Sequence, residues 1–523
     1  MPAIDLLATR RVLCSLIALF LLLCLPANAR AADSTASTVR TRQLTLPALF
    51  SDGMVLPQGK AVVWGSGDPW AVVTVVLGSS TATAKASADG WWRAELKGLK
   101  APGPYTMIVT DGSTTLTFKR VAVGQVWLVA GSALLDASSP VDKPAQTDET
   151  TRGDVRFFQV PPVSAYQPAE AVSGAWQSAP SASSLHISAV ATQFGAELSQ
   201  RLGMPVGIIQ ATMAGAPAEA YLPIDTIVAN DDLSPLIRWY DRNKPAKSSP
   251  DETINAFLPR LPAGAWNGMV APLIPYAITG VVWDTSDVNS GRAAQYGILL
   301  PTLIKSWRKA WGIGDFPVLY LQSPASGGTS DSPADSILSE MRDSQNQALS
   351  LPNTAMEVTL DLYFDPKNRI NDDQVLAQRL AKAAIAKTTA DKSEFMGPSL
   401  KSVKVENGAL RVRFDHVDGG LTLSGGELLR TFQIAGPDRT WQWADARIEG
   451  SDVIVSLHEV PNPVAARYAW ADNWIQMPPP ANLTNKAGFP AGTFRTDAWP
   501  LVTDGIVAGG GAYPVEKKAF STR

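Results

Sequence analysis

VAVGQVWLVAGSALLD, residues Val121–Asp136, decides how this chain is read. Its centre, Gln125–Val129, is an apolar, β-branched run of strand length, and the alternation expected of a half-exposed strand is missing. A strand of that kind is buried on both faces, as in a parallel sheet. It runs into a turn of small residues, Ala130-Gly131-Ser132-Ala133. Hydrolases of the Ser-His-Asp kind place their nucleophile on such a strand-to-turn junction, where a serine oxygen is exposed and turn N–H groups can hold an oxyanion. Here the turn offers Ser132 and then Ala133.

Working outward, apolar strands alternate with helical stretches over residues 121–395. Ile187–Leu202 is an amphipathic helix stopped by Gly203, and VGIIQA after it is a buried strand. GVVW at Gly280–Trp283, VLYLQ at Val318–Gln322 and MEVTLDL at Met356–Leu362 are further strands. A helix is expected from near Pro301 to Trp311. Another opens at Ser332-Pro333-Ala334-Asp335, with Ser332 as its cap, and a closing helix covers Asp372–Lys387. The expected fold is α/β: a flavodoxin-like parallel sheet covered by helices on both faces, with its binding site at the carboxyl ends of the strands. Gly131, Gly215, Asp284 and Asp365 all sit just past such ends and are expected to share one cleft.

Two β modules flank this core. Residues 44–120 hold short alternating runs (AVVTVVLG, TATAKASA, WWRAEL, YTMIVTD) broken by Gly, Pro and Asp, a small sandwich pattern. Residues 396–523 return to strands such as LKSVKVE, LRVRFD and DVIVSLHEV. Before them, Arg10-Arg11, the apolar run Val12–Leu25 and Ala27-Asn28-Ala29 form a cleavable export signal over residues 1–31, followed by a polar linker, 32–43. Export through the Sec or the twin-arginine route and a secreted or periplasmic location follow, with no membrane span in the mature form. Both cysteines, Cys14 and Cys24, lie within the signal, so no disulfide, thiol nucleophile or thiolate metal site is expected. A net charge of −3 gives no basic surface for nucleic acid. No cofactor or metal motif is present.

Several long segments carry a resemblance: LPALFSDGMVLPQGKAVVWG from Leu46, VAVGQVWL from Val121, ISAVATQFGAELSQRLGMPVGIIQATMAGAPAEAY from Ile187, WNGMVAPLIPYAITGVVW from Trp266, GRAAQYGILLPTLIKSWRKAWG from Gly291 and PNPVAARYAWADN from Pro461. In this order the chain resembles the sialate O-acetylesterase-like carbohydrate esterases of the SGNH-hydrolase group. The resemblance implies a core carrying Ser-Gly-Gln-Ser-Asn after the first strand, with the second serine as nucleophile. That serine falls on Ala133, the Gln on Ser132 and the Asn on Leu134. The family's Trp-Gly-Gly-Thr becomes Met213-Ala214-Gly215-Ala216. Its Trp-Tyr-Gln-Gly-Glu-Ser-Asn becomes Trp283-Asp284-Thr285-Ser286-Asp287-Val288-Asn289, and its Asp-Ile-His-Pro becomes Tyr363-Phe364-Asp365-Pro366. Nucleophile, acid and base positions (Ala133, Tyr363, Asp365) are therefore all changed, the pattern of a pseudoenzyme. Gly131, Ser132, Gly215 and Asn289 remain as candidate cleft and oxyanion residues.

The residues themselves leave three chemistries open. The expected function is that of a pseudoesterase binding a glycan or a protein partner, with Asp284, Asp287, Trp283 and Trp266 as candidate ligand contacts. The second is a carbohydrate O-acetylesterase, acting on sialic acid or acetylated plant glycans, with a rearranged site that uses Ser132 or a cleft aspartate. The third is a glycoside hydrolase using two of the cleft aspartates. Only three histidines exist, at 186, 416 and 458, and none stands where the resemblance puts a base. Asn482-Leu483-Thr484 matches a glycosylation acceptor.

Overall fold

The computed structural model describes residues 42–132, 135, 153–178, 186–284, 287–329, 332–362, 364, 369–473, 480–510 and 513–517. The signal segment and the degenerate positions Ala133, Tyr363 and Asp365 lie outside these residues. Among the described residues no helix is long and apolar enough to cross a membrane.

The first strands are β1 (Val55–Pro57), β2 (Gly59–Ser66), β3 (Val72–Leu77), β4 (Ser80–Lys85), β5 (Trp91–Leu99) and β6 (Tyr105–Thr110), followed by the long β7 (Thr115–Gly131). β2 pairs with β5, and β3 lies between β4 and β6, all antiparallel. β7 does two jobs. Its first part pairs antiparallel with β6 and alternates between exposed and half-buried residues, whereas Val121–Gly131 is buried throughout. Arg120, at φ 54, marks the change. One strand thus carries the chain from a layer with a solvated face into a sheet covered on both faces.

Beyond it come β8 (Val155–Gln159), β9 (Gln177–Ser178), α1 (Ala189–Leu202), β10 (Val206–Thr212), α2 (Ile224–Val228), α3 (Pro235–Asn243) and α4 (Asp251–Phe257). Then follow β11 (Gly280–Asp284), α5 (Ala293–Trp311), β12 (Val318–Leu321), α6 (Ile337–Gln345), β13 (Thr354–Glu357) and α7 (Arg369–Thr388). The core sheet has the order β13-β12-β11-β7-β10-β8, parallel throughout, with the short β9 antiparallel on its edge. The chain leaves β7 towards one side and returns to β11 on the other, so the topological switch point sits at the carboxyl end of β7. This is the expected SGNH-type α/β core.

The helices cover both faces. α1 packs on α7, and Phe194 of α1 meets Trp127 edge-on, with ring centroids 5.4 Å apart. On the opposite face Trp283 packs against Trp307 of α5 at 5.9 Å. α1 ends as expected, with Gly203 left-handed at φ 62, and starts on Ser188, whose oxygen accepts from the Ala191 N–H.

Two helix starts differ from expectation. α5 begins at Ala293, with Pro301 inside it. The lost hydrogen bond costs about 3 kcal/mol, which the helix's buried stripe (Tyr296, Leu299, Leu300, Leu303, Ile304, Trp307) offsets. α6 is capped by Ser336, not Ser332. The Ser336 Oγ accepts from the Ser339 N–H at 3.0 Å and is held by Asp472 of the C-terminal module at 2.5 Å.

That module contains the antiparallel strands Ser399–Glu406, Ala409–Asp415, Asp452–Ser456 and Asp445–Glu449, and a second set around Phe432–Ala435 and Ala465–Tyr468. Asn482 lies within it, 6% exposed, with its amide bonded to the Gly425 and Leu428 carbonyls and the Arg430 N–H. The folded chain therefore hides the acceptor that the sequence motif suggests. The last strands, Ile506–Gly510 and Tyr513–Lys517, form a hairpin that returns to the core beside Asp287–Arg292.

Candidate functional site

The carboxyl ends of three strands meet in register: Gly131 of β7 pairs with Thr212 of β10 on one side and Asp284 of β11 on the other. Gly131 has φ 110, and a Cβ there would lie 2.0 Å from the Asp284 carbonyl oxygen. No side chain fits, so the strands close up around a bare backbone. Tyr221, fully buried, donates its hydroxyl to the Gly131 carbonyl at 2.9 Å, and the Met213 N–H donates to the same carbonyl at 3.0 Å. These bonds fix the floor of the site.

Ser132, 3% exposed, donates its N–H to the Asp284 carbonyl at 3.3 Å. Its Oγ accepts from the Gly215 N–H at 3.1 Å. Gly215 is left-handed at φ 72 and solvent-exposed, and the space a Cβ would take there is empty. The N–H that the resemblance assigns to an oxyanion is thus directed at the serine oxygen. Asp284, 2% exposed, accepts the Leu135 N–H on Oδ2 at 3.2 Å and so ties down the chain following the turn.

Asn289 is fully buried, with both ends of its amide engaged. Its Oδ1 accepts from the Ala218 N–H at 2.9 Å, and its Nδ2 donates to Glu219 at 3.0 Å. Glu219 in turn pairs with Arg292 at 2.6 Å, their side chains being 6% and 1% exposed. Arg292 also donates to Gln295 and to the Gly509 carbonyl of the C-terminal hairpin. Glu219, Tyr221 and Arg292 were not singled out from the sequence. A lone glutamate in the apolar run GAPAEAYLP was the available signal, since such a carboxylate needs a buried partner.

The two tryptophans proposed as ligand contacts lie in the core. Trp283 is 1% exposed, edge-on to Tyr221 at 5.1 Å, with its N–H on the Tyr296 hydroxyl. Trp266 is 8% exposed and tilted against Trp307 at 6.3 Å. Neither ring presents a face on which a sugar could stack. Asp287 opens the short helical segment Asp287–Arg292. Among the described residues no cluster of three His, Cys, Asp or Glu is placed to hold a metal.

The histidines are elsewhere. His186 is exposed, and its carbonyl accepts from the Gln159 and Gln210 amides. His416 pairs with Glu394 at 2.9 Å in the C-terminal module, and His458 is exposed there. Among the described residues none of the three hydrogen-bonds to Ser132. The arrangement provides a serine oxygen and a glycine N–H joined to each other, a buried carboxylate beside them and no imidazole.

No family model matches the chain. The sialate O-acetylesterase of Mus musculus is 26% identical over 482 residues, covering 79% of this chain and 86% of the mouse protein. The human sialate O-acetylesterase is 28% identical over 407 residues, covering 68% and 73%. The crystal structure of a carbohydrate acetylesterase from Xanthomonas citri matches with a TM-score of 0.74 at 30% identity, over 87% of this chain and 100% of that one. With this likeness over 87% of this chain and the whole of the other, the protein belongs to the sialate O-acetylesterase-like carbohydrate esterases.

Proposed function

We propose that this chain is an exported binding member of its esterase family, whose cleft at the end of β7 holds a glycan or a protein partner without hydrolysing it. The observation that carries this is the bond from the Gly215 N–H to the Ser132 Oγ. Ester hydrolysis by a serine needs a base to take its proton and donors free to meet the developing oxyanion. Ser132 has no imidazole bonded to it among the described residues, and its oxygen occupies the donor an oxyanion would use. Asn289, the second candidate donor, is held by Ala218 and Glu219. The methyl group of Ala133, at the nucleophile position implied by resemblance, has no nucleophilic atom.

Acetyl release from a small acetyl ester, acetylated xylan and O-acetylated sialic acid tests this. The unmodified chain is expected to release no acetate above the uncatalysed rate, with Ser132→Ala indistinguishable from it. Turnover that disappears in Ser132→Ala would overturn the proposal and establish Ser132 as a nucleophile.

A further inference from the structure

The outward face of β4-β3-β6-β7 in the N-terminal layer has an unusual composition. Cross-strand pairing aligns Thr83, Thr74, Thr110 and Thr115 in one row across the four strands. Neighbouring strands lie about 4.8 Å apart, so these side chains form a continuous line of methyl and hydroxyl groups. The next rung pairs Val72 with Lys85. The outward strand positions on this face include no Asp or Glu.

At the Lys85 end stands Trp70, 60% exposed. It has φ 67, a left-handed conformation that a residue with a Cβ adopts only under strain. The turn is held in place: the Ala71 N–H bonds the Asp68 carbonyl at 3.1 Å, and the Ala86 N–H bonds the Ala71 carbonyl at 2.9 Å. A bulky apolar ring is thus fixed in water at a strained position. The Lys85 ammonium lies 5.5 Å from the centre of that ring and has no carboxylate partner among the described residues. Trp91, 43% exposed, flanks the adjacent turn.

We propose that this face is a second, non-catalytic binding surface for a glycan chain bearing carboxylate groups. The exposed indole offers a flat apolar surface to the C–H face of a pyranose ring. The unpaired ammonium beside it attracts a sugar carboxylate, and the Thr74 and Thr83 hydroxyls face the following sugar units, whereas the Thr115 hydroxyl donates to Thr110, which in turn donates to the Thr114 carbonyl. A nucleic acid would require many more cations than this face carries. The surface is on a different layer from the end of β7, so the proposal stands or falls independently of whether the cleft hydrolyses esters.

The test is native electrophoresis of the full chain in gels containing glucuronoxylan, or the same polysaccharide with its carboxyl groups reduced to alcohols. Trp70→Ala, Lys85→Met and Arg201→Ala, the last on the surface of α1, run beside the parent. Glucuronoxylan is expected to retard the parent and Arg201→Ala alike, and Trp70→Ala is expected to bind about 10-fold more weakly, as expected for one lost stacking contact. Lys85→Met should weaken binding to glucuronoxylan several-fold, and make no difference with the reduced polymer. Because both residues are exposed, unchanged far-ultraviolet circular dichroism and an unchanged denaturant midpoint will show that the variants are folded. Equal retardation of parent and Trp70→Ala, or none of the parent, overturns the proposal. So does self-association of the parent that Trp70→Ala abolishes, which would assign the face to a second copy of the chain.

Discussion

Replacing Arg292 with alanine is expected to destabilise the protein by about 3–5 kcal/mol, read as a fall in the denaturant midpoint. The guanidinium is 1% exposed and is the only cation bonded to Glu219 among the described residues, and Glu219 itself is 6% exposed in its side chain. Removing one partner leaves a carboxylate in the interior without its counter-charge, a larger penalty than the pair's own net contribution. The consequences extend in two directions. Glu219 orients the amide of Asn289 at 3.0 Å, and Arg292 binds the Gly509 carbonyl at 2.7 Å, so loss of the guanidinium loosens both the Asn289 side chain and the C-terminal hairpin. Faster proteolysis within residues 503–517 should accompany the loss of stability. The pair Arg201–Glu197 on α1 is the control: its side chains are 41% and 23% exposed, and Arg201→Ala should change stability by less than about 1 kcal/mol. A double variant, Glu219→Leu with Arg292→Leu, should lose less than Arg292→Ala alone. If Arg292→Ala is as mild as Arg201→Ala, the network does not hold the site.

What the sequence discloses and what it withholds divide along a physical line. The buried strand at Gln125–Val129, the left-handed stop at Gly203 and the alternation of apolar strands with helices are local patterns, and each was legible, although the strand runs on through Ala130 and Gly131, whose small size reads as turn. The site was legible only as a place. Gly131 and Asp284 could be put at strand ends, but Ser132 and Gly215, 83 residues apart, pair only after the sheet has formed. Glu219 and Arg292 are separated by 73 residues in the same way. Trp283 and Trp266 show the opposite error: an indole has the same chemistry in a core and on a sugar platform, and only packing distinguishes the two. The helix starts at Ala293 and Ser336 were missed because long-range contacts outweighed the local signals at Pro301 and Ser332.

The other large effect concerns a carboxyl group away from the Ser132 site. Glu357, at the end of β13, is 1% exposed, and its Oε1 accepts no hydrogen bond. Burial pushes its carboxyl up to about 8, with Arg379 and Lys382 opposing the shift only in part. The folded protein therefore keeps this proton at pH 7, whereas the unfolded chain releases it near the usual carboxylate value of 4.5. Below pH 4.5 both states are protonated and the group makes no difference. As pH rises from there to about 8 the folded state binds one more proton than the unfolded state, so stability falls by about 1.4 kcal/mol per pH unit. Above that range both states are ionised and the loss levels off. Glu357→Gln keeps the shape and removes the titration. Its stability relative to the parent should therefore rise by about 3 kcal/mol between pH 4.5 and pH 7. Asp343, whose carboxyl burial raises to about 6, adds to the slope in both proteins and cancels from the difference. Guanidinium unfolding at a series of pH values measures the gap directly. Parallel curves for the two proteins would mean that Glu357 is ionised in the folded state, held by Arg379 despite its burial.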